Sequence, residues 1–226
     1  MILIFDLDDT LYDEATYVDG GLRAVAQHGA DQWGWDADRS LVILRRVLAT
    51  EGRGKVFDRW LEAHRAWTKG RVRDCIKAYR THRPAITLTA VAQAMIDRYG
   101  AQGPLYLVTD GHKGVQQNKV DALNLWPLFQ KVFITHRYGV AASKPSTLCF
   151  EKIRAEAGCD WQDMVYVGDN PAKDFVNLNP LGVLTIRVLT GVHSQVVAQP
   201  GYEAQVTIND LHGLPQALAT RFGQQA

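Results

Sequence analysis

Asp6, Asp8, Asp9 and Thr10 stand together directly after the apolar run Ile2-Leu3-Ile4-Phe5, and Leu11-Tyr12 closes the cluster. Two carboxylates two residues apart, where the backbone leaves pleated geometry, can converge on one divalent cation. Magnesium prefers such oxygen donors. A hard cation with open positions can hold a phosphate oxygen, leaving one carboxylate to attack phosphorus and another to handle protons. The spacing Asp-x-Asp-x-Thr suits that division of labour. A lone Asp after a strand is more often part of a polar turn, but Asp6, Asp8 and Asp9 fall within four positions.

Three later clusters add to the first. In Val108-Thr109-Asp110-Gly111-His112 a hydroxyl at a strand end is followed by a glycine whose amide can approach an anion closely. In Ala142-Ser143-Lys144-Pro145-Ser146 the proline biases Lys144 away from helix and Ser146 can cap the next helix, so the ammonium is fixed where it can neutralise developing charge. In Val167-Gly168-Asp169-Asn170-Pro171-Ala172-Lys173-Asp174, Asp169 can complete a metal site with Asp6 and Asp8. Pro171 suits the first turn of a helix, and Asp174, one turn into that helix, can ligate or orient a water. Each cluster alone has a plain structural reading: a turn, a solvated lysine, an acidic helix start.

The elements that must position these residues emerge from periodicity. Apolar runs at Met1–Phe5, Pro104–Val108, Lys131–Ile134, Met164–Val167 and Val183–Val188, with a shorter one at Ala204–Ile208, read as strands. Between them lie helical patterns: one carrying Leu88, Val91, Met95 and Ile96 and ending at Gly100, then Val115–Leu125, Ser146–Ala157 and Asp210–Phe222, with Asp210 as N-cap. Alternating β-α units predict an α/β fold with a parallel, doubly wound sheet. Residues 14–84 instead read as all helix, with Leu41, Leu44, Val47 and Leu48 on one face, then Val56, Trp60, Leu61 and Trp67, then Val72, Cys75, Ile76 and Tyr79. Breaks are expected at Gly20-Gly21, Gly52, Gly70 and Arg83-Pro84. The domains are therefore a core of residues 1–13 and 85–226 and a helical insertion of residues 14–84. Gly191 to Gly201 reads as loop, and the last residues from Gly223 as a fraying end.

At 226 residues and 46% hydrophobic composition the chain can bury a full core. Its formal net charge of +1 offers no case for a nucleic-acid or membrane-surface protein. Residues 14–84 hold 14 Lys and Arg against 9 Asp and Glu, whereas the rest holds 11 against 15. A basic segment facing an acidic one suits capture of an anion, and a solvated basic helix face explains it equally well. Cys75, Cys149 and Cys159 are widely spaced with no Cys-x-x-Cys pair, which disfavours structural zinc and a disulfide framework. With no leader pattern and no apolar run of membrane-spanning length, a soluble cytoplasmic protein is expected.

The four clusters, in this order and each at a strand end, resemble the four motifs of the haloacid dehalogenase superfamily, and the resemblance spans nearly the whole chain. It implies a Rossmann-like core and a helical cap, of the type inserted between the first two motifs, that closes over small substrates. It further implies that Asp6 is the nucleophile, Asp8 the general acid and base, and Lys144 a stabiliser of charge. Thr109 and Gly111 bind phosphate, with Thr10, Asp110 and Lys144 joining the substrate site. Magnesium is held by Asp6, Asp169 and the carbonyl of Asp8, with Asp174 as a further ligand. Many relatives have Asn or another residue where Asp110 stands, a departure that leaves phosphate binding by Thr109 intact.

The activity so implied is magnesium-dependent hydrolysis of a small phosphorylated metabolite, a sugar phosphate or nucleoside monophosphate, by a monomer or homodimer without nucleic-acid or membrane partners. Dehalogenases of the superfamily need neither a second aspartate nor magnesium, so Asp8 and Asp169 favour phosphoryl transfer. Alternatives are a phosphomutase, a phosphonatase using Lys55, Lys69 or Lys77, and a catalytically silent ligand-binding homologue. Substrate identity lies with residues such as Arg53, Lys55, Arg59, His64, Arg71 and Arg73 in the insertion, or with His112, Lys113, His136, Arg137 and Tyr138 after core strands. The sequence does not choose among them.

Overall fold

The structure, a computed structural model, describes residues 1–223. The tail after Gly223, expected to fray, lies outside the described residues. The chain divides into two compact units, Met1–Glu14 with the chain from Thr87 onward, and Ala15–Ile86.

In the first unit six strands, β1 (Ile2–Phe5), β2 (Leu105–Thr109), β3 (Lys131–Ile134), β4 (Met164–Gly168), β5 (Leu184–Val188) and β6 (Val206–Ile208), form one sheet in the order β3-β2-β1-β4-β5-β6. All five pairings are parallel, with Leu3 opposite Leu105 on one side and Val165 on the other. Residues 2 to 5 are apolar without alternation because both faces of β1 are covered. On one face Ile4, Tyr106, Val108, Phe133 and Tyr166 pack with Phe150 and Ile153. Pleating turns Leu3, Phe5, Leu107, Val165 and Val167 to the other face, where they are also buried. Each such side chain contributes about 1.5–3 kcal/mol of burial, enough in sum to fix the strand ends from which the polar clusters project. The chain runs outward from β1 through β2 to β3 and returns to β4 on the other side, so the switch in strand order lies at β1, where an open sheet has its ligand crevice.

In the second unit α1 (Glu14–Trp33, its first residue in the other unit), α2 (Ala37–Glu51), α3 (Val56–Ala63) and α4 (Lys69–Thr81) enclose their own core. It is built on Leu22, Val25, Leu41, Leu44, Trp60, Leu61 and Cys75. Asp36 and Thr68 cap α2 and α4 by accepting the amides of Arg39 and Arg71. Two expectations are corrected here. The glycine pair at 20 and 21 does not break α1; a Cβ at Gly21 would lie 2.3 Å from the Tyr79 ring, so the glycine serves close packing. Trp67 falls between helices, 45% exposed, and donates its indole N–H to Asp58.

The remaining core helices are α5 (Ala90–Gly100), α6 (Lys113–Ala122), α7 (Leu148–Ala157) and α8 (Leu214–Phe222). A 3-10 turn precedes α8, with Asp210 accepting from His212 N. Asp169 is followed by turns rather than the expected helix: Lys173 and Asp174 both donate to Asn170 O, and the chain then re-turns on Phe175 O. Asp174 is thus held by a tight turn. No helix among the described residues is long and apolar enough to cross a membrane.

Candidate active site

β1 delivers Asp6, whose amide still donates to Val167 O at 2.8 Å, so its position is fixed by the sheet ladder. β4 delivers Asp169, and the turn after it returns Asp174 to the same place. The approach is close: a Cβ at Gly168 would lie 2.8 Å from Asp174 Oδ2, so only glycine fits. Asp6, Asp169 and Asp174 are buried and can each offer an oxygen, all within 4.8 Å of one another. Lys144 enters from the segment after β3, across a cis Lys144–Pro145 peptide. Its Nζ donates to Asp6 Oδ1 at 2.5 Å, to Asp174 Oδ1 at 2.8 Å and to the Tyr166 hydroxyl at 2.6 Å. Asp174 also accepts the Tyr166 hydroxyl at 3.1 Å and the Asn170 amide at 2.9 Å.

The electrostatics stem from burial. Removal from water, with Asp174 and Asp8 nearby, pushes Asp6 up to about 7 despite Lys144 and Lys173. Burial with Asp6 and Asp174 beside it pushes Asp169 to about 9. Lys144 is fully buried, yet its two carboxylate partners hold it well above the ordinary lysine value. Three carboxylates share one ammonium, leaving two negative charges when all are ionised. That donor set, all oxygen and two charges in deficit, fits a hard divalent cation such as magnesium.

Asp8 is placed differently. Its Oδ1 accepts from Tyr12 Oη at 2.6 Å and Lys119 Nζ at 2.7 Å, and its Oδ2 from Gln116 Nε2 at 2.8 Å. Burial works against its charge, but Lys119 and these hydrogen bonds keep it below the usual carboxylate range. Its side chain is therefore outside the buried carboxylate trio. Gln116 Nε2 also donates to the Thr109 hydroxyl, tying Asp8 to the strand end of β2.

Around this centre stand the other expected site residues. Gly111 has φ +133, backbone that favours glycine, at the start of the loop into α6. Asp110 accepts from Thr135 Oγ1 at 2.6 Å, from Lys144 N at 3.3 Å and from Lys173 Nζ at 3.3 Å. Burial opposes its charge, but Thr135, Lys173 and Lys144 hold it below the usual range. The carboxylate thus braces three segments of the site. Thr10 is buried with its hydroxyl unpartnered in the protein, on the wall of a cavity of about 280 Å³ that includes Asp9, Val188 and Leu211 but not Asp6. Asp9 has φ 54 and accepts from Glu14 N and Val192 N, a brace that ties the first loop to the segment after β5.

Of the residues considered for substrate choice, several have structural partners. Arg59 pairs with Glu51 and Glu62, Arg71 lies over Trp33, and His64 stacks on Trp35 with ring centroids 3.9 Å apart. His136 meets Ser143 Oγ, Arg137 donates to Gln117, and Tyr138 stacks on Phe133.

Gln116, Lys119, Tyr12 and Tyr166 were not legible as site residues. Tyr166 sits inside an apolar strand and reads as core. Gln116 and Lys119 did carry a signal: with Val120 they fall at i, i+3 and i+4 of α6, one buried face on which a lysine requires a partner.

The chain is similar to known proteins in both sequence and fold. The family model described as haloacid dehalogenase-like hydrolase matches residues 1–175, and a second, HAD-hydrolase-like, matches residues 141–214. A protein of Methanocaldococcus jannaschii named glyceraldehyde 3-phosphate phosphatase is 26% identical, with 94% of each chain covered. One of the same name from Methanopyrus kandleri is 24% identical over 86% of each. The fold is shared with the HAD-hydrolase YfnB from Bacillus subtilis, in a magnesium-bound structure, at a TM-score of 0.70 and 19% identity, covering 96% of this chain and 97% of that one. With the family model matching residues 1–175, well over half its length, the chain is an enzyme of the haloacid dehalogenase-like hydrolase family.

Proposed function

We propose that this enzyme is a magnesium-dependent phosphatase that hydrolyses a small sugar phosphate through an aspartyl-phosphate on Asp6. The observation that carries the reading is the convergence of Asp6, Asp169 and Asp174 around one buried lysine, with Asp8 held apart by its own donors. A dehalogenase has no use for a second ordered aspartate or for an all-oxygen cage. The phosphatase names of the two archaeal relatives favour a sugar or triose phosphate over a nucleotide. Three free cysteines are in keeping with a cytoplasmic enzyme.

In this reading Asp6, Asp169 and the Asp8 carbonyl hold the metal, with Asp174 in reach. A bound divalent cation would favour ionised carboxylates and draw a phosphate oxygen toward Asp6. The Thr109 hydroxyl and the Gly111 amide bind the remaining phosphate oxygens, and the Lys144 ammonium offsets charge on Asp6 and on the transferring group. Asp6 attacks phosphorus as the bond to the sugar oxygen breaks, and the departing oxygen takes a proton from solvent by way of Asp8, which is ionised at rest. Water then attacks the aspartyl-phosphate, Asp8 accepts its proton, and Asp6 is freed.

The test is phosphate release from a panel of triose, pentose and hexose phosphates and nucleotides, with magnesium and with chelator. Asp6→Asn is expected to remove turnover by ~10³-fold or more. Unchanged hydrolysis by that variant would sink the assignment of the nucleophile.

A further inference from the structure

We infer that Lys119 and Gln116, on one face of α6, are positioning residues that hold Asp8 as the base for the second half of the reaction. The inference rests on the phosphatase reading. Asp8 is 22% exposed at its side chain, so without anchors its carboxylate would sample several rotamers at the rim of the site. Three donors remove that freedom. Gln116 takes one oxygen at 2.8 Å, while Lys119 and Tyr12 take the other at 2.7 and 2.6 Å. Gln116 also donates to the Thr109 hydroxyl, so the carboxylate is keyed to the end of β2.

Lys119 is itself fixed from behind. Its side chain is 2% exposed, and Glu14 Oε1 lies 3.1 Å from Nζ, so the ammonium sits between two carboxylates and cannot swing into solvent. A lysine is costly to bury, and a purely structural helix would place an apolar residue at this position beside Val120. The arrangement holds the carboxylate in one orientation with one lone-pair site to spare. That is what the second step needs: a water oxygen attacks phosphorus, the bond from phosphorus to the Asp6 oxygen breaks, the water proton passes to Asp8, and Asp6 leaves as carboxylate. The first step depends less on Asp8 when the leaving group departs readily as an anion.

The experiment compares wild type, Lys119→Met, Gln116→Leu and Lys119→Arg on 4-nitrophenyl phosphate with magnesium, by rapid mixing and by acid quench of labelled phosphoenzyme. Wild type is expected to turn over without a burst. Lys119→Met and Gln116→Leu are expected to release about one equivalent of nitrophenolate quickly, then slow by ~10- to 100-fold as the aspartyl-phosphate accumulates. Lys119→Arg, which keeps the cation, recovers part of the steady-state rate. Gln116→Leu leaves the ion pair intact and carries the test if Lys119→Met does not fold. Wild-type steady-state rates in folded variants, or equal loss of the fast and slow phases, would overturn the inference. Absence of any phosphoenzyme or turnover in wild type would overturn the phosphatase reading beneath it.

Discussion

Chelated enzyme is expected to become less stable as the medium turns alkaline, and magnesium to reverse the trend. Asp169 has its folded value raised from 3.8 to about 9, chiefly by burial and then by the charges of Asp6 and Asp174, and Asp6 is raised to about 7, chiefly by burial, with Asp174 and Asp8 adding to it. A carboxyl group raised in the folded state binds its proton more tightly there than in the unfolded chain, so its contribution is full below the unfolded value and is lost as pH rises. From about pH 7 to about pH 8.5 Asp169 alone stays largely protonated when folded and ionised when unfolded. One proton over that interval, at 1.36 kcal/mol per unit, costs about 2 kcal/mol. The carboxylates held low, Asp8 and Asp110, contribute fully throughout this range and add no slope. His64 and His193, which burial holds below the ordinary histidine value, act only at lower pH. Urea unfolding with chelator should show the loss; with saturating magnesium the ionised forms are paired, and the stabilisation by metal should grow with pH. Asp169→Asn, which cannot ionise, should abolish the slope. Chelated enzyme equally stable at both pH values, or a magnesium effect independent of pH, would refute the reasoning.

Three further outcomes are expected. Gly21→Ala should destabilise the helical unit by about 1–3 kcal/mol, because a Cβ 2.3 Å from the Tyr79 ring forces the aromatic aside; thermal unfolding measures it, and a neutral result would show that α1 and α4 separate freely. Lys144→Met, which leaves Asp6 and Asp174 without their cation, should cost about 3–5 kcal/mol in chelator at neutral pH. Tyr166→Phe, which removes only a hydroxyl shared by Lys144 and Asp174, should cost about 1–3 kcal/mol. Equal losses in urea titrations of the two would mean that Lys144 contributes no more than a neutral donor.

Most of the sheet could be read from the chain because its strands are continuous apolar runs, a pattern that double-sided burial produces, and the ends of β1, β2 and β4 are marked by polar clusters. What failed was local. Gly20-Gly21 read as a break because glycine is a poor helix former, but tertiary packing against Tyr79 outweighs a propensity cost of about 1 kcal/mol. Pro171 with Asp174 after it read as a helix start, yet the turn is pinned by Asp174 accepting the Asn170 amide instead. The motif residues of the site were legible because strand ends gather them. Gln116, Lys119 and Tyr166 were not, since they reach the same place from a helix face and from within a strand, where only three-dimensional proximity gives them a role.

The strand that carries Asp6 is the first in the chain but lies in the interior of the sheet, and Leu3 finds its two neighbours only at Leu105 and Val165. Contacts so distant in sequence close late in folding, because loop entropy is spent before they form. The helical unit, with its own core within residues 15 to 86, has no such wait. On the ribosome it can gather first, while Ile2–Phe5 remains an unpaired apolar strand until β4 is made. Asp6 therefore stays apart from Asp169 and Asp174 until residues far downstream arrive; a chain stopped ahead of Met164 should be both inactive and prone to aggregate.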